Sequence, residues 1–300
     1  PLDFSQVGNM KKFVCSILLA AIAAPTVVSA QDVATEVSVT EAAPGVYMLG
    51  GANGFSSAMA LIVGEERVVL IDDGMAPITA DLVATVDELA GRPIDFVVNT
   101  HVHGDHVGSN ASLAENGAVI FAHHNLRKRL VEDPGPAGGV GGLPVVTFAD
   151  GVHFHLNGQE VHVFHVKDAH TDGDAAVHLM GSDVIVAGDL HFNYLFPFID
   201  LDSGGTVKGY IAGMRKLLKM AGENTIIIPG HGEIANRDDL QAALDMLVDA
   251  EKRVEALVRE GKSVDEVVAA NPLADYHDDW NWGFITTERM TRTIYRSLTE

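Results

Sequence analysis

Thr100-His101-Val102-His103-Gly104-Asp105-His106-Val107-Gly108 packs three imidazoles and a carboxylate into the six residues from His101 to His106. The run follows Ile94–Asn99, a short segment rich in β-branched and aromatic residues behind Pro93, which reads as a buried strand. If the extended path continues past Thr100, His101 and His103 project the same way by the period of two and reach one ion. Gly104 permits a sharp turn, and Asp105 and His106 fall where a helix begins, free to face a second ion. Imidazole nitrogen and carboxylate oxygen suit zinc, iron or manganese.

Three further segments repeat the pattern of an apolar strand that ends in a metal-capable residue. Glu160–Val166 leads to His170-Thr171-Asp172-Gly173-Asp174, Asp183–Ala187 leads to Gly188-Asp189, and Thr225–Ile228 leads to Pro229-Gly230-His231. Functional residues of open α/β folds collect beyond the carboxyl ends of strands, so the four endings are expected to converge in one crevice.

With its His-x-His-x-Asp-His run followed by a distant His, Asp and His, the chain resembles the metallo-β-lactamase-fold hydrolase superfamily over roughly Gly45 to Asn236. The resemblance implies an α/β fold, a four-layer αββα sandwich in a single domain, with all seven ligand positions matched. It implies a first metal site at His101, His103 and His170, a second at Asp105, His106 and His231, and Asp189 bridging two zinc ions. Flavin-linked diiron oxidoreductases of the superfamily carry Glu where this chain has His103, which favours hydrolysis. Some lactamase subclasses carry Cys or Ser at the position of Asp189, so the bridging Asp is closer to glyoxalase II and the lactonases. Two metals share and activate a water, and Asp105 is a candidate to orient it or carry a proton to the leaving group. Tyr194 is the candidate to donate a hydrogen bond to a carbonyl oxygen, as a tyrosine does in some lactonases of this family.

Met10-Lys11-Lys12 followed by the apolar Phe13–Ala24 and the small residues Val28-Ser29-Ala30 reads as a secretory signal peptide over 10–30, cleaved before Gln31. Residues 1–9 precede Met10 and read as an added, non-native leader, which leaves 31–300 as the folded domain. The only cysteine, Cys15, lies in the leader, so the mature protein is expected to have no disulfide and no thiolate ligand. A formal charge of −21 argues against a nucleic-acid partner and against the nuclease branch of the superfamily.

Val46–Leu49, Ala58–Val63 and Arg67–Ile71 read as early strands of one sheet, with Gly50–Gly54 a turn. Asp72 is expected either to support the metal site or to cap a turn. Ile78–Leu89, Asn125–Val131, Arg237–Glu260 and Thr286–Leu298 read as helices, Ser263–Glu266 as a capping box, and residues 133–142 as a loop. Val152–Val166 reads as a hairpin turned at Asn157-Gly158. His153, His155, His162 and His165 on it are expected to be structural or solvated, and His123, His124, His178, His191 and His277 solvated. Phe192, Phe196 and Phe198 suit pocket wall and core equally; Trp280 and Trp282 read as packing. Ser203, Thr206 or Lys208 are candidates to hold a substrate carboxylate, since no Lys or Arg lies between Asp189 and Lys208.

These readings converge on a periplasmic or secreted dinuclear zinc hydrolase, without stable membrane association after cleavage, whose small-molecule substrate carries an activated carbonyl. A β-lactam leads, with a lactone or (thio)ester as the alternative. An iron-dependent oxidoreductase and a non-catalytic metal-binding domain are the readings from other classes.

Overall fold

Alternating side chains along the strands sort the apolar residues into three layers, and the layers fix the architecture. The computed structural model describes residues 35–51 and 56–300, within one compact unit, Ala34–Glu300; the expected leader and most of the Gly50–Gly54 turn lie outside the described residues. One sheet runs in sequence order through β1 (Val37–Ala43), β2 (Val46–Gly51), β3 (Ala58–Val63), β4 (Val68–Ile71), β5 (Phe96–Val98), β6 (Val119–His123) and β7 (Val146–Phe148). It is antiparallel as far as β4 and parallel from there on. The other contains β8 (Gly151–Leu156), β9 (Gln159–His165), β10 (Ala175–Leu179), β11 (Val184–Phe192) and β12 (Ile226–His231), in the order β12-β11-β10-β9-β8. Only its β11–β12 pair is parallel.

In β3, Ala60 and Ile62 enter the core between the sheets, whereas Met59 and Leu61 enter the core under α1 (Thr79–Ala90). The same switch occurs in β11: Val184 and Val186 face the first sheet, Ile185 and Ala187 the opposite helical layer. Short α2 (Gly104–Val107), α3 (Asn110–Glu115) and α4 (His124–Glu132) complete the first half. The second helical layer is built on α5 (Val207–Met220), α6 (Arg237–Arg259), α7 (Val264–Ala270), α8 (His277–Trp280) and α9 (Thr287–Thr299). This is the αββα sandwich, and each fully buried Leu or Ile in its layers contributes roughly 1.5–3 kcal/mol.

The hairpin closes at Asn157 (φ 51°) and Gly158 (φ 71°), both left-handed as a type I′ turn requires. Capping boxes start α6 at Asn236 and α7 at Ser263. Two expected boundaries move. β11 runs to Phe192 and β12 to His231, so Asp189 and His231 sit inside strands instead of after them. Residues 133–142 contain two single 3-10 turns, at Gly135–Ala137 and Val140–Gly142. Among the described residues no helix is long and apolar enough to cross a membrane.

Candidate metal centre

A bulge aims the central carboxylate. Strict alternation after Ile185 and Ala187 would send Asp189 into the helical layer, but Gly188 adopts φ 52° and the β11–β12 register shifts there. Leu190 takes the helix-side position instead, and Asp189 is left for the crevice. A Cβ on Gly188 would lie 2.7 Å from Thr100 Oγ1, and one on Gly230 would lie 2.0 Å from Asp189 Oδ1, so glycine is required at both. His101 and His103 follow β5, Asp105 and His106 open α2, His170 lies in the β9–β10 turn, and His231 ends β12. All seven expected ligands therefore meet at one edge of the sandwich. They form two groups, His101, His103, His170 and Asp189 in one, Asp105, His106 and His231 in the other, with ligand atoms within 4.8 Å of one another in each.

The outer partners of the rings fix which nitrogen faces inward. His106 Nδ1 lies 2.8 Å from Asp72 Oδ2, and His103 Nε2 lies 2.9 Å from Asp200 Oδ2; each ring N–H donates to its carboxylate. His170 Nδ1 donates to the Phe198 carbonyl at 2.7 Å. Thr100 Oγ1 donates to Asp72 Oδ2, so it accepts from His101 Nδ1 at 3.0 Å. A neutral imidazole has one donor and one acceptor nitrogen, so four lone pairs are turned inward. Those of His103 Nδ1 and His170 Nε2 face each other at 2.9 Å, and His106 Nε2 faces Asp189 Oδ1 at 3.1 Å. His101 Nε2, His106 Nε2 and Asp189 Oδ1 are buried without a hydrogen-bond partner among the described residues. Facing acceptors in a buried site need a proton or a cation between them, and this set of imidazole and carboxylate donors fits two divalent metals.

The electrostatics point the same way. Burial would raise the Asp189 carboxyl, but His106, His231, His101 and His170 outweigh it and hold it well below its ordinary value. Burial pushes His231 down, yet Asp189 and Asp105 lift it to about 9, a proton standing where a metal would share the charge. Behind the ligands, Asp72 takes a left-handed φ of 58° and also accepts from the Thr100 backbone, which decides for its supporting role. Asp200 and Asp174 were not foreseen. Asp174 accepts from the His170 and Thr171 backbone and so fixes the turn that carries His170.

Residues 52–231 match the family model described as the metallo-beta-lactamase superfamily. The chain belongs to this superfamily. A protein of Bacillus cereus named metallo-beta-lactamase type 2 is 26% identical over 186 residues, which are 60% of this chain and 68% of its own. A hydroxyacylglutathione hydrolase of Nitrosococcus oceani is 31% identical over 182 residues, 58% of this chain and 61% of its own length. Among solved structures, a metallo-beta-lactamase from Pontibacter korlensis superposes with a TM-score of 0.62 at 20% identity, covering 71% of this chain and 100% of that one, a likeness of fold. Such relatives are metallo-hydrolases, and this chain is one.

A cavity of about 610 Å³ opens over the centre, lined by His103, Asp105, Asp189, His231, Phe192, Phe198, Trp282, Gly283 and Phe284. Its last three residues lie beyond the segment matched to the superfamily. Trp282 was read as packing only; its Nε1 donates to the Phe196 carbonyl while its ring walls the cavity. Phe192 and Phe198 are wall, Phe196 is core. Tyr194 does not line the cavity: its side chain is half exposed, lies beside Trp280, and donates to Asp239 at 3.2 Å. Ser203, Thr206 and Lys208 do not line it either. His191 and His123, expected in solvent, are buried, His191 because every residue of β11 is.

Proposed function

We propose that the protein is a dinuclear metal-dependent hydrolase that opens a cyclic amide, foremost a β-lactam, after export to the periplasm or beyond. The observation that supports it most is the set of four imidazoles whose outward N–H groups are committed, so that their lone pairs converge on Asp189. Two divalent cations, zinc first and iron or manganese compatible with the donors, would supply Lewis acidity at the carbonyl and would lower the pKa of a water toward 7. Within that frame His101, His103, His170 and Asp189 would hold one cation, and Asp105, His106 and His231 the other. Asp105 lines the cavity together with His103, Asp189 and His231, and it is the more exposed of the two carboxylates there, 26% against 4%. Its carboxylate accepts a proton from the attacking water and returns it to the leaving nitrogen. Phe192, Phe198, Trp282 and Phe284 exclude bulk water and take the apolar part of the substrate.

A lactone or thioester is the second reading. It is favoured by the cavity lining, which includes no Lys or Arg among the described residues, and by relatives named hydroxyacylglutathione hydrolase. Hydrolysis of a chromogenic cephalosporin by zinc-loaded and chelator-stripped protein beginning at Gln31, with a homoserine lactone alongside, separates the two. Zinc-dependent lactam turnover above the lactone rate is the expected result. Lactone turnover alone moves the assignment to a lactonase, and oxygen consumption with bound iron would replace hydrolysis altogether.

A further inference from the structure

Three arginines follow one another along α9, and only one lacks a carboxylate partner among the described residues. Arg292 pairs with Glu288 at 2.9 Å and Asp265 at 3.0 Å. Arg296 pairs with Asp202 at 2.6 Å and Glu300 at 2.7 Å. Arg289 has no carboxylate partner among the described residues, in a chain whose formal charge is −21. Its guanidinium is held instead over two rings, 4.2 Å from the centre of Phe284 and 5.2 Å from that of Phe198. One of its five N–H donors goes to the Phe284 carbonyl at 2.9 Å.

Phe198 and Phe284 are also walls of the cavity over the metal centre. Phe198 stacks on the ring of His103 at 5.4 Å and is shared with an adjoining recess of about 260 Å³ that Arg289 lines. A planar cation thus stands one ring beyond a metal ligand, clamped so that little side-chain entropy is lost when it takes a partner. Its open donors match a carboxylate in geometry as well as in charge. Of the two carboxylates that line the recess, Asp200 is already held by His103 and the Asp202 and Ser203 backbone, and Asp202 by Arg296.

We infer that Arg289 is a specificity-determining residue that receives a carboxylate of the substrate, so the preferred substrates are anionic molecules with an apolar body. The inference rests on the hydrolase reading above and deepens it by assigning the charge that the cavity lining lacks. The anion lies in the recess behind Phe198 that Arg289 lines, and the scissile carbonyl lies on the other side of that ring, over the metal ligands.

The test uses zinc-loaded protein with a chromogenic cephalosporin and its methyl ester, which differ only in the carboxylate. The wild type is expected to favour the acid by about tenfold or more in KM with similar kcat, the scale of one charge-assisted hydrogen bond. Arg289→Gln is expected to bring the preference to within about twofold, and Arg289→Lys to keep part of it, with metal content and melting temperature unchanged. A preference that survives in Arg289→Gln, or its absence from the wild type, overturns the inference. If neither compound is turned over, calorimetric binding of the same pair decides: an Arg289-dependent preference for the acid refutes the lactamase reading and upholds the anion site, and equal binding refutes both.

Discussion

Histidines occur in two neighbourhoods of this sandwich, and the neighbourhoods use the ring in opposite ways. At the strand ends, His101, His103, His106 and His170 each commit an outer nitrogen to a fixed acceptor and turn the other toward Asp189 or a second imidazole. Away from that cluster, rings meet face to face: His153 and His162 within the second sheet at 4.1 Å and 7°, and His123 of the first sheet with His165 of the second at 3.8 Å and 5°. There the nitrogens diverge, His153 toward Glu160 and His165 toward the Asp174 carbonyl. Burial and then the neighbouring rings push His123 down to about 4, leaving it neutral at pH 7. Histidine count is similar in both places. Convergence of lone pairs on a buried carboxylate exists in only one, and that separates a ligand set from a stack.

The strongest way to break this contrast is to remove the carboxylate at its centre. Asp189→Asn takes away the carboxylate that faces His101, His106 and His170 and puts an amide where two cations would be bridged. We expect loss of the second metal and a fall in turnover on the order of a thousandfold, measured by metal stoichiometry and kcat. Two tightly held metals with undiminished turnover would show that the convergence does not make the site. A smaller effect is expected from Asp72→Asn, which tolerates the left-handed backbone but, with a single amide oxygen, can no longer accept from His106 and from the Thr100 backbone N–H at once. Metal affinity should fall by roughly 10- to 100-fold, with the fold intact by circular dichroism. An unchanged affinity would mean that the outer partners do not set the tautomers.

Sequence brought these seven side chains together because local rules give their approximate placement: a period of two for His101 and His103, a helix start for Asp105 and His106, and apolar runs just before His170, Asp189 and His231, although β11 and β12 continue through the last two. The αββα layers came from the resemblance and not from periodicity, since β3 and β11 are apolar on both faces and only the structure shows which side chains enter which core. What it did not reach depends on contacts far apart in the chain. Asp200 meets His103 across 97 positions, and Trp282 and Phe284 reach the cavity from the loop before the last helix, with no periodicity to announce them. His191 was misjudged because β11 continues past the bulge at Gly188, and a glycine before a metal ligand was read as the strand's end. Tyr194 was placed by likeness to a residue in relatives, but its backbone at φ 52° leaves the side chain beside Trp280 and Asp239.

The smallest expected effect sharpens the contrast from the other side. His162 stands opposite both His153 and His178 in register, so three imidazoles form a row across β8, β9 and β10. A row of that kind is the arrangement a surface metal site would need, yet stacked rings aim their nitrogens along parallel planes and not at a common point. Half of the His153 side chain is exposed, so replacing it leaves no cavity. The double variant His153→Gln, His162→Gln should therefore keep both metals and full turnover and change stability by no more than about 0.5 kcal/mol. Equilibrium denaturation and metal analysis on the same preparation check both halves. Loss of a metal equivalent in this variant would place a ligand set in that row and remove the distinction between the two neighbourhoods. A stability change well above that scale, with the metals retained, would show instead that face-to-face imidazoles hold the hairpin together, a packing role that the strand-end histidines do not share.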